Sequence, residues 1–351
     1  MVKHLTLAAE PRYFKGSSVQ SRLLGLGLRH TVRPILGMWS RLPFDFYPPN
    51  AVDHLARLLP VPEGTSWRTV DLGPCPSEWL QAKDVRDVHG GNPGAILYFH
   101  GGAFLTCGLN THRNLVSRIS YAAGQPVLNV GYRQMPLEPI TESVADGVVA
   151  FRWLLDEGYR PENITIAGDS AGGYLAFSVA RAVLDAGWGR PAGVVAISPL
   201  LDVDSTRKRN HPNANRCQAF PLNALERFTQ LALRTDDRRG ISGERVCPVD
   251  MPVADMPPSV IQIGSREILM PDAELMANRL VAAGVPCDLQ IWENQVHVFQ
   301  VAAAWVPEAR QAIDEIALFV QSLANGTIAA PAATRKAKKK VGRPRVRVAS
   351  R

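Results

Sequence analysis

The chain's 351 residues suffice for one large α/β domain or two smaller ones, and 46% hydrophobic with 20% charged residues is a globular composition. The formal net charge of +7 is a local matter: Arg335–Arg351 holds four Lys and five Arg without an acid, which leaves −2 for everything else. No apolar run is long enough for a membrane span. The five cysteines (Cys75, Cys107, Cys217, Cys247, Cys287) are scattered without a CxxC pair, which argues against a disulfide framework or zinc knuckle and fits a reducing cytoplasm.

In chain order, the opening MVKHLTLAAEPRYFK lacks the continuous apolar core of a secretory signal, so a cytoplasmic protein is expected. The basic, apolar segment SRLLGLGLRHTVRPILGMWSRL reads as a helix packing its Leu face on the body, with a membrane-surface helix as the sharper alternative. TSWRTVDL and EWLQA read as antiparallel strands. From Gly94 to about Asn325, short apolar strands alternate with helices of 3.6-residue period. The strands are GAILYF, PVLNVGY, ITIAG, GVVAIS, SVIQIGS and CDLQIW. That rhythm implies an α/β fold with a mostly parallel central sheet covered by helices on both faces. Residues 1–62 and 202–257 break the rhythm and read as parts of a helical cap over the strand ends. The division expected is a cap segment at 1–62, a catalytic domain at 63–326 with its insertion at 202–257, and a disordered basic tail at 327–351.

Gly168-Asp169-Ser170-Ala171-Gly172 stands where ITIAG becomes a helix, which is the setting of a nucleophile elbow. The tight turn lifts the Ser170 hydroxyl clear of the sheet and aims the first helix amides at the same point. A plain Ser/Gly turn that merely starts a helix is the alternative. Serine needs a base, and the base an acid to orient it, each at the carboxyl end of a later strand. His297, the only histidine after His211, follows CDLQIW and reads as the base. Glu267 follows SVIQIGS at the position expected of the acid. Asp272, in the first turn of the next helix, is its main rival; Asp255 precedes the strand and Glu293 follows the last one. His100-Gly101-Gly102-Ala103 ends an earlier strand, and the amides of Gly101, Gly102 and Ala171 are the expected oxyanion donors.

HGGAF, then YR with a following Pro, then GDSAGG, then a late His resembles the hormone-sensitive-lipase-like esterases of the α/β-hydrolase fold, from about Thr65 to Leu323. The resemblance implies a serine carboxylesterase for short- to medium-chain acyl esters, with no metal or organic cofactor and an N-terminal cap. The partner it implies is a small-molecule or lipid ester. Three departures stand out. Ala103 replaces the third glycine of the usual HGGG; SREIL offers Glu267 where an Asp-Pro-Leu run is usual; and YRQMPL replaces YRLAPE, which removes no catalytic group.

An amidase or thioesterase would use the same constellation. A binding protein on the same fold would be free to lose Ser170, His297 or the oxyanion glycines, yet all are present. The tail reads as disordered and solvated. Weak nucleic-acid or anionic-membrane contact through it is the alternative, since Gly342-Arg343-Pro344 resembles the core of an AT-hook, with Val341 where an Arg is usual. A location peripheral to a membrane and a homo-oligomer both remain open.

Overall fold

The computed structural model describes residues 5–6, 10–42, 51–241 and 245–329, so the basic tail from Arg335 onward lies outside the described residues. Its strands are β1 Leu5–Thr6, β2 Arg12–Phe14, β3 Ser66–Asp71, β4 Pro76–Gln81, β5 Ala95–Phe99 and β6 Val127–Val130. The series continues with β7 Ile164–Asp169, β8 Gly193–Ile197, β9 Ser259–Gly264, β10 Cys287–Trp292 and β11 Ile328–Ala329. Nine of them form one sheet in the order β2-β10-β9-β8-β7-β5-β6-β4-β3. All its pairs are parallel except β3–β4 and β4–β6.

The helices are α1 Val19–His30, α2 Val32–Trp39, α3 Ala51–Leu55, α4 Leu109–Ala123 and α5 Ile140–Asp156. They continue as α6 Ala171–Asp185, α7 Thr206–Asn210, α8 Leu222–Arg238, α9 Met270–Ala282 and α10 Pro307–Ala324. Strand residues alternate between two cores. Ala95, Leu97 and Phe99 of β5 join Phe151 of α5, Leu175 of α6 and Met276 of α9 on one face. Ile96 and Tyr98 join Val116 of α4 and Ile316 of α10 on the other. A strand buried on both faces shows no polar alternation, which is why these segments read as continuous apolar runs.

Two expectations change. Residues 1–62 are not wholly outside the sheet, because Arg12–Phe14 pairs in parallel with Gln290–Trp292 and Phe14 stacks on Trp292 at 3.9 Å between ring centroids. Three residues are too few for a period-2 pattern to register. Nor does structure stop at residue 326: Ile328 and Ala329 pair with Leu5 and Thr6. The basic apolar segment also divides into α1 and α2 at Thr31, where φ −117 and ψ −72 interrupt the helix three residues before Pro34. Within the 202–257 stretch, α8 meets the end of α2, with Asn223 Nδ2 donating to Ser40 Oγ at 2.7 Å.

Strand order decides where the site forms. β5 leads to β6 on one side and β7 lies on its other side, so successive connections diverge there and leave a crevice at the carboxyl ends. The loops after β5, β7, β8, β9 and β10 follow one another along that edge.

Candidate active site

Ser170 stands between β7 and α6 at φ 52 and ψ −115, a backbone conformation that L-residues seldom adopt. The flanking glycines make room for it. A Cβ on Gly172 would lie 1.9 Å from the Phe99 carbonyl oxygen, and one on Gly168 would lie 2.2 Å from that of Gly172. No side chain fits either gap, so the spacing G-x-S-x-G is a packing requirement here.

His297 follows β10, and its Nδ1 is 2.7 Å from Glu267 Oε2, which follows β9. A carboxylate only accepts, so Nδ1 carries the proton and Nε2 is left with a lone pair. Glu267 is almost fully buried and its second oxygen is also occupied. Oε1 accepts from the Gly264 amide at 2.6 Å and from Ser198 Oγ at 2.8 Å. Ser198 in turn accepts the Val298 amide at 3.1 Å, which ties the glutamate to the histidine loop a second time. The Phe220 and His297 rings meet in a T-shaped arrangement, with centroids 4.7 Å apart.

The rival acids are engaged elsewhere. Asp272 is fully buried, paired with Lys208 Nζ at 3.0 Å, and accepts the Leu201 and Asp202 amides at 2.9 and 3.0 Å. Burial pushes its carboxyl up, with Lys208 opposing. Asp255 pairs with Arg181, and Glu293 accepts the Gly16 amide.

The expected oxyanion donors need one correction. The Gly101 amide points away from the crevice, toward Asp169 Oδ1 at 3.1 Å. A Cβ on Gly101 would meet Asp169 Oδ2 at 2.2 Å, so this glycine permits close packing rather than donation into the crevice. The amides of Gly102, Ala103 and Ala171 have no acceptor among the described residues. Gly102 lies at φ 118 and Ala103 at φ 56, in the left-handed region.

Beneath this loop lies a buried polar cluster that the sequence reading missed. Asp169 accepts from Tyr98 Oη at 2.8 Å, and its Oδ2 is 3.2 Å from His112 Nε2. Burial alone would push His112 down and Asp169 up. Their mutual charge and hydrogen bond outweigh it, holding the imidazole above its usual range and the carboxyl below. A protonated Nε2 cannot accept, so its 3.3 Å approach to the Gly101 amide is not a hydrogen bond and that amide belongs to Asp169. His100, fully buried and beside His112, is pushed down to about 4. Its Nδ1 therefore donates to the Gly101 carbonyl at 2.7 Å as a neutral ring.

Positive φ values at residues other than glycine concentrate here. Ala103, Phe104, Cys107, Ser170, Ser198, Asn294 and Val298 all lie in loops after β5, β7, β8 or β10; among the described residues only Asp84 lies elsewhere. Each costs roughly 1–3 kcal/mol, and strain of this kind gathers at functional sites.

The chain matches, over residues 96–301, a family model described as the alpha/beta hydrolase fold. It is 39% identical to Esterase LipU of Mycobacterium tuberculosis over 294 residues, 83% of this chain and 98% of LipU. It is 36% identical over 309 residues to Carboxylesterase/phospholipase LipF of the same organism, 87% of this chain and 82% of LipF. Among solved structures, an esterase from the bacterial hormone-sensitive lipase family has a TM-score of 0.73 at 28% identity, covering 88% of this chain and 99% of that one. EstE5 soaked with p-nitrophenyl butyrate gives 0.74 at the same identity and coverage.

Proposed function

Because the chain belongs to the α/β-hydrolase fold family, beside esterases of the hormone-sensitive-lipase kind, we propose that it hydrolyses short- to medium-chain acyl esters through an acyl-enzyme on Ser170. The observation that carries this reading is the 2.7 Å contact of Glu267 with His297, on the strands beyond the one that delivers Ser170. His297 Nε2 takes the Ser170 proton as Oγ attacks the carbonyl carbon. The amides of Gly102, Ala103 and Ala171 hold the developing oxyanion, each donor contributing about 10²–10³ in rate. His297 then protonates the departing alkoxide. Water enters, gives a proton to the same nitrogen and attacks the acyl carbon. As the acyl C–O bond breaks, His297 returns that proton to Ser170 Oγ, which frees the carboxylic acid and restores the serine. Glu267 stays ionised and steadies the imidazolium between these transfers.

Esters are favoured over amides and thioesters by the names of the relatives, and short chains by the butyrate ester soaked into EstE5. The α1–α2 pair and α8 form the cap, which closes over the crevice and limits acyl length. No helix among the described residues is long and apolar enough to cross a membrane, and the five cysteines are free. A cytoplasmic location accommodates both. A fluorophosphonate probe tests the mechanism: it labels Ser170, located by peptide mass, and fails to label Ser170→Ala. Label at another serine, or none in an active preparation, overturns the assignment.

A further inference from the structure

α1 is amphipathic in the wrong sense for a surface helix. Its inward face carries Ser21 and Gly25, both buried, with Leu24 and Leu28 half-buried. Its outward face carries Val19, Leu23 and Leu26, spaced i, i+4, i+7 and between 51% and 61% exposed. α2 continues the pattern with Ile35 and Met38, exposed to a similar degree. Arginines surround these side chains. Residues 11–44 contain Arg12, Lys15, Arg22, Arg29, Arg33 and Arg41 and no acid at all. Arg29, Arg33 and Arg41 line an open groove of about 450 Å³ with Gly37, Met38 and Pro221, and Arg33 Nε is buried with no hydrogen-bond partner.

The inner side of the same pair reaches the candidate active site. Ser21 Oγ donates to Gln295 Oε1 at 2.7 Å, two residues before His297. Gly25 closes on Gln218, where a Cβ would meet Oε1 at 2.3 Å, and Gly37 lies against Pro221. Between those two contacts, Phe220 packs its ring at right angles to that of His297. Five residues, Cys217–Pro221, thus separate the exposed apolar face from the histidine.

We propose that the outer face of α1–α2 docks on anionic phospholipid bilayers, with its apolar stripe among the acyl chains and its arginines on the phosphates. Arg12 pairs with Asp288 and Glu315, and Glu308 caps the start of α1, but Arg29, Arg33 and Arg41 beside the stripe have no carboxylate partner among the described residues. An apolar stripe edged by such cations is complementary to an anionic bilayer. Docking places the crevice at the lipid–water boundary, where ester substrates of low solubility are concentrated. That consequence rests on the esterase reading; the docking itself does not.

The test uses the full chain with equimolar phosphatidylglycerol–phosphatidylcholine vesicles, pure phosphatidylcholine vesicles, and soluble p-nitrophenyl butyrate. Wild type is expected to sediment with the anionic vesicles. Leu23→Ser/Leu26→Ser/Met38→Ser and Arg29→Gln/Arg33→Gln/Arg41→Gln each weaken that partition by about tenfold or more. Both leave butyrate hydrolysis within about twofold, which shows that the fold survives. Failure of wild type to bind, or equal partition of the Ser variant, overturns the proposal. So does a wild-type dimer that the Ser variant reduces to monomer without any vesicle binding, since the face then belongs to a second copy. Vesicle binding without hydrolysis of any ester strikes the esterase reading alone.

Discussion

The Asp169 carboxylate accepts the amide hydrogen of Gly101 at 3.1 Å, so the residue before Ser170 holds the loop that carries Gly102 and Ala103. The same carboxylate faces His112, and the pair makes stability depend on pH. His112 is raised above 6.5, so its contribution is complete below pH 6.5 and disappears as pH rises through the folded value. Asp169 is held below 3.8, so its contribution is complete above that pH and disappears as pH falls through its folded value. These are two views of one interaction, present in full between about pH 4 and 6.5. His112→Gln is expected to cost about 3–5 kcal/mol at pH 5.5, the usual effect of breaking a buried pair, and markedly less at pH 9. Urea unfolding of both proteins at the two pH values checks this. An unchanged gap would show that charge is not what holds the cluster.

Ser170→Ala is expected to lower turnover of p-nitrophenyl butyrate by about 10⁶ while leaving the unfolding midpoint close to wild type. Retention of more than about a hundredth of the rate in a clean preparation would remove Ser170 from the mechanism.

Glu267→Gln and Asp272→Asn separate two roles. The first exchanges the acceptor at His297 Nδ1 for an amide and is expected to cost about 10⁴ in kcat, because the imidazole loses its tautomer and its counter-charge. The second leaves Lys208 buried without its ion and is expected to cost about 3–5 kcal/mol of stability with kcat largely kept. Paired kinetics and urea titrations decide it; a crippled kcat in a stable Asp272→Asn protein would make that residue the acid.

Gly101→Ala places a Cβ against Asp169 Oδ2 and is expected to lower both stability and kcat. Ala103→Gly is expected to keep kcat within about fivefold, since the donor is a backbone amide and glycine accepts φ 56 more readily than alanine. Steady-state rates on one ester measure both. A loss of about 10² in Ala103→Gly would mean that its methyl group, rather than its amide, serves the reaction.

Deleting residues 335–351 takes the formal charge from +7 to −2. Any duplex DNA binding that the intact chain has, measured by fluorescence anisotropy at two salt concentrations, is expected to weaken with salt and to vanish with the deletion. Hydrolysis of a soluble ester is expected to stay within about twofold, because the segment has no apolar face to pack on the body. A larger loss of hydrolysis would place the tail at the site.

The strand–helix rhythm and the tight strand-to-helix turn at Ser170 were legible from the sequence because they follow from local spacing, and the place of His297 after the last long strand followed from chain order. Period 2 and period 3.6 are properties of neighbouring residues, and Gly168 answers a clash within its own turn, whereas Gly172 makes room for the Phe99 carbonyl of β5. Side-chain type and strand order sufficed to place Glu267 ahead of Asp272, but not to exclude Asp272. That difference lies in contacts between distant segments: His297 reaches Glu267 and Lys208 reaches Asp272 only once β9 and β10 lie side by side and the 202–257 stretch has folded back. The direction of the Gly101 amide, the role of Ser198 and the Asp169–His112 pair were invisible for the same reason. Each joins segments distant in the chain: the ends of β5 and β7 for Gly101 and Asp169, the loops after β8 and β9 for Ser198 and Glu267, and α4 with β7 for His112 and Asp169. The three-residue strand Arg12–Phe14 had too little length for any period. The outward-facing leucines of α1 have the spacing of a buried face; the small residues Ser21 and Gly25, fitted against Gln295 and Gln218, are what turned that face to solvent.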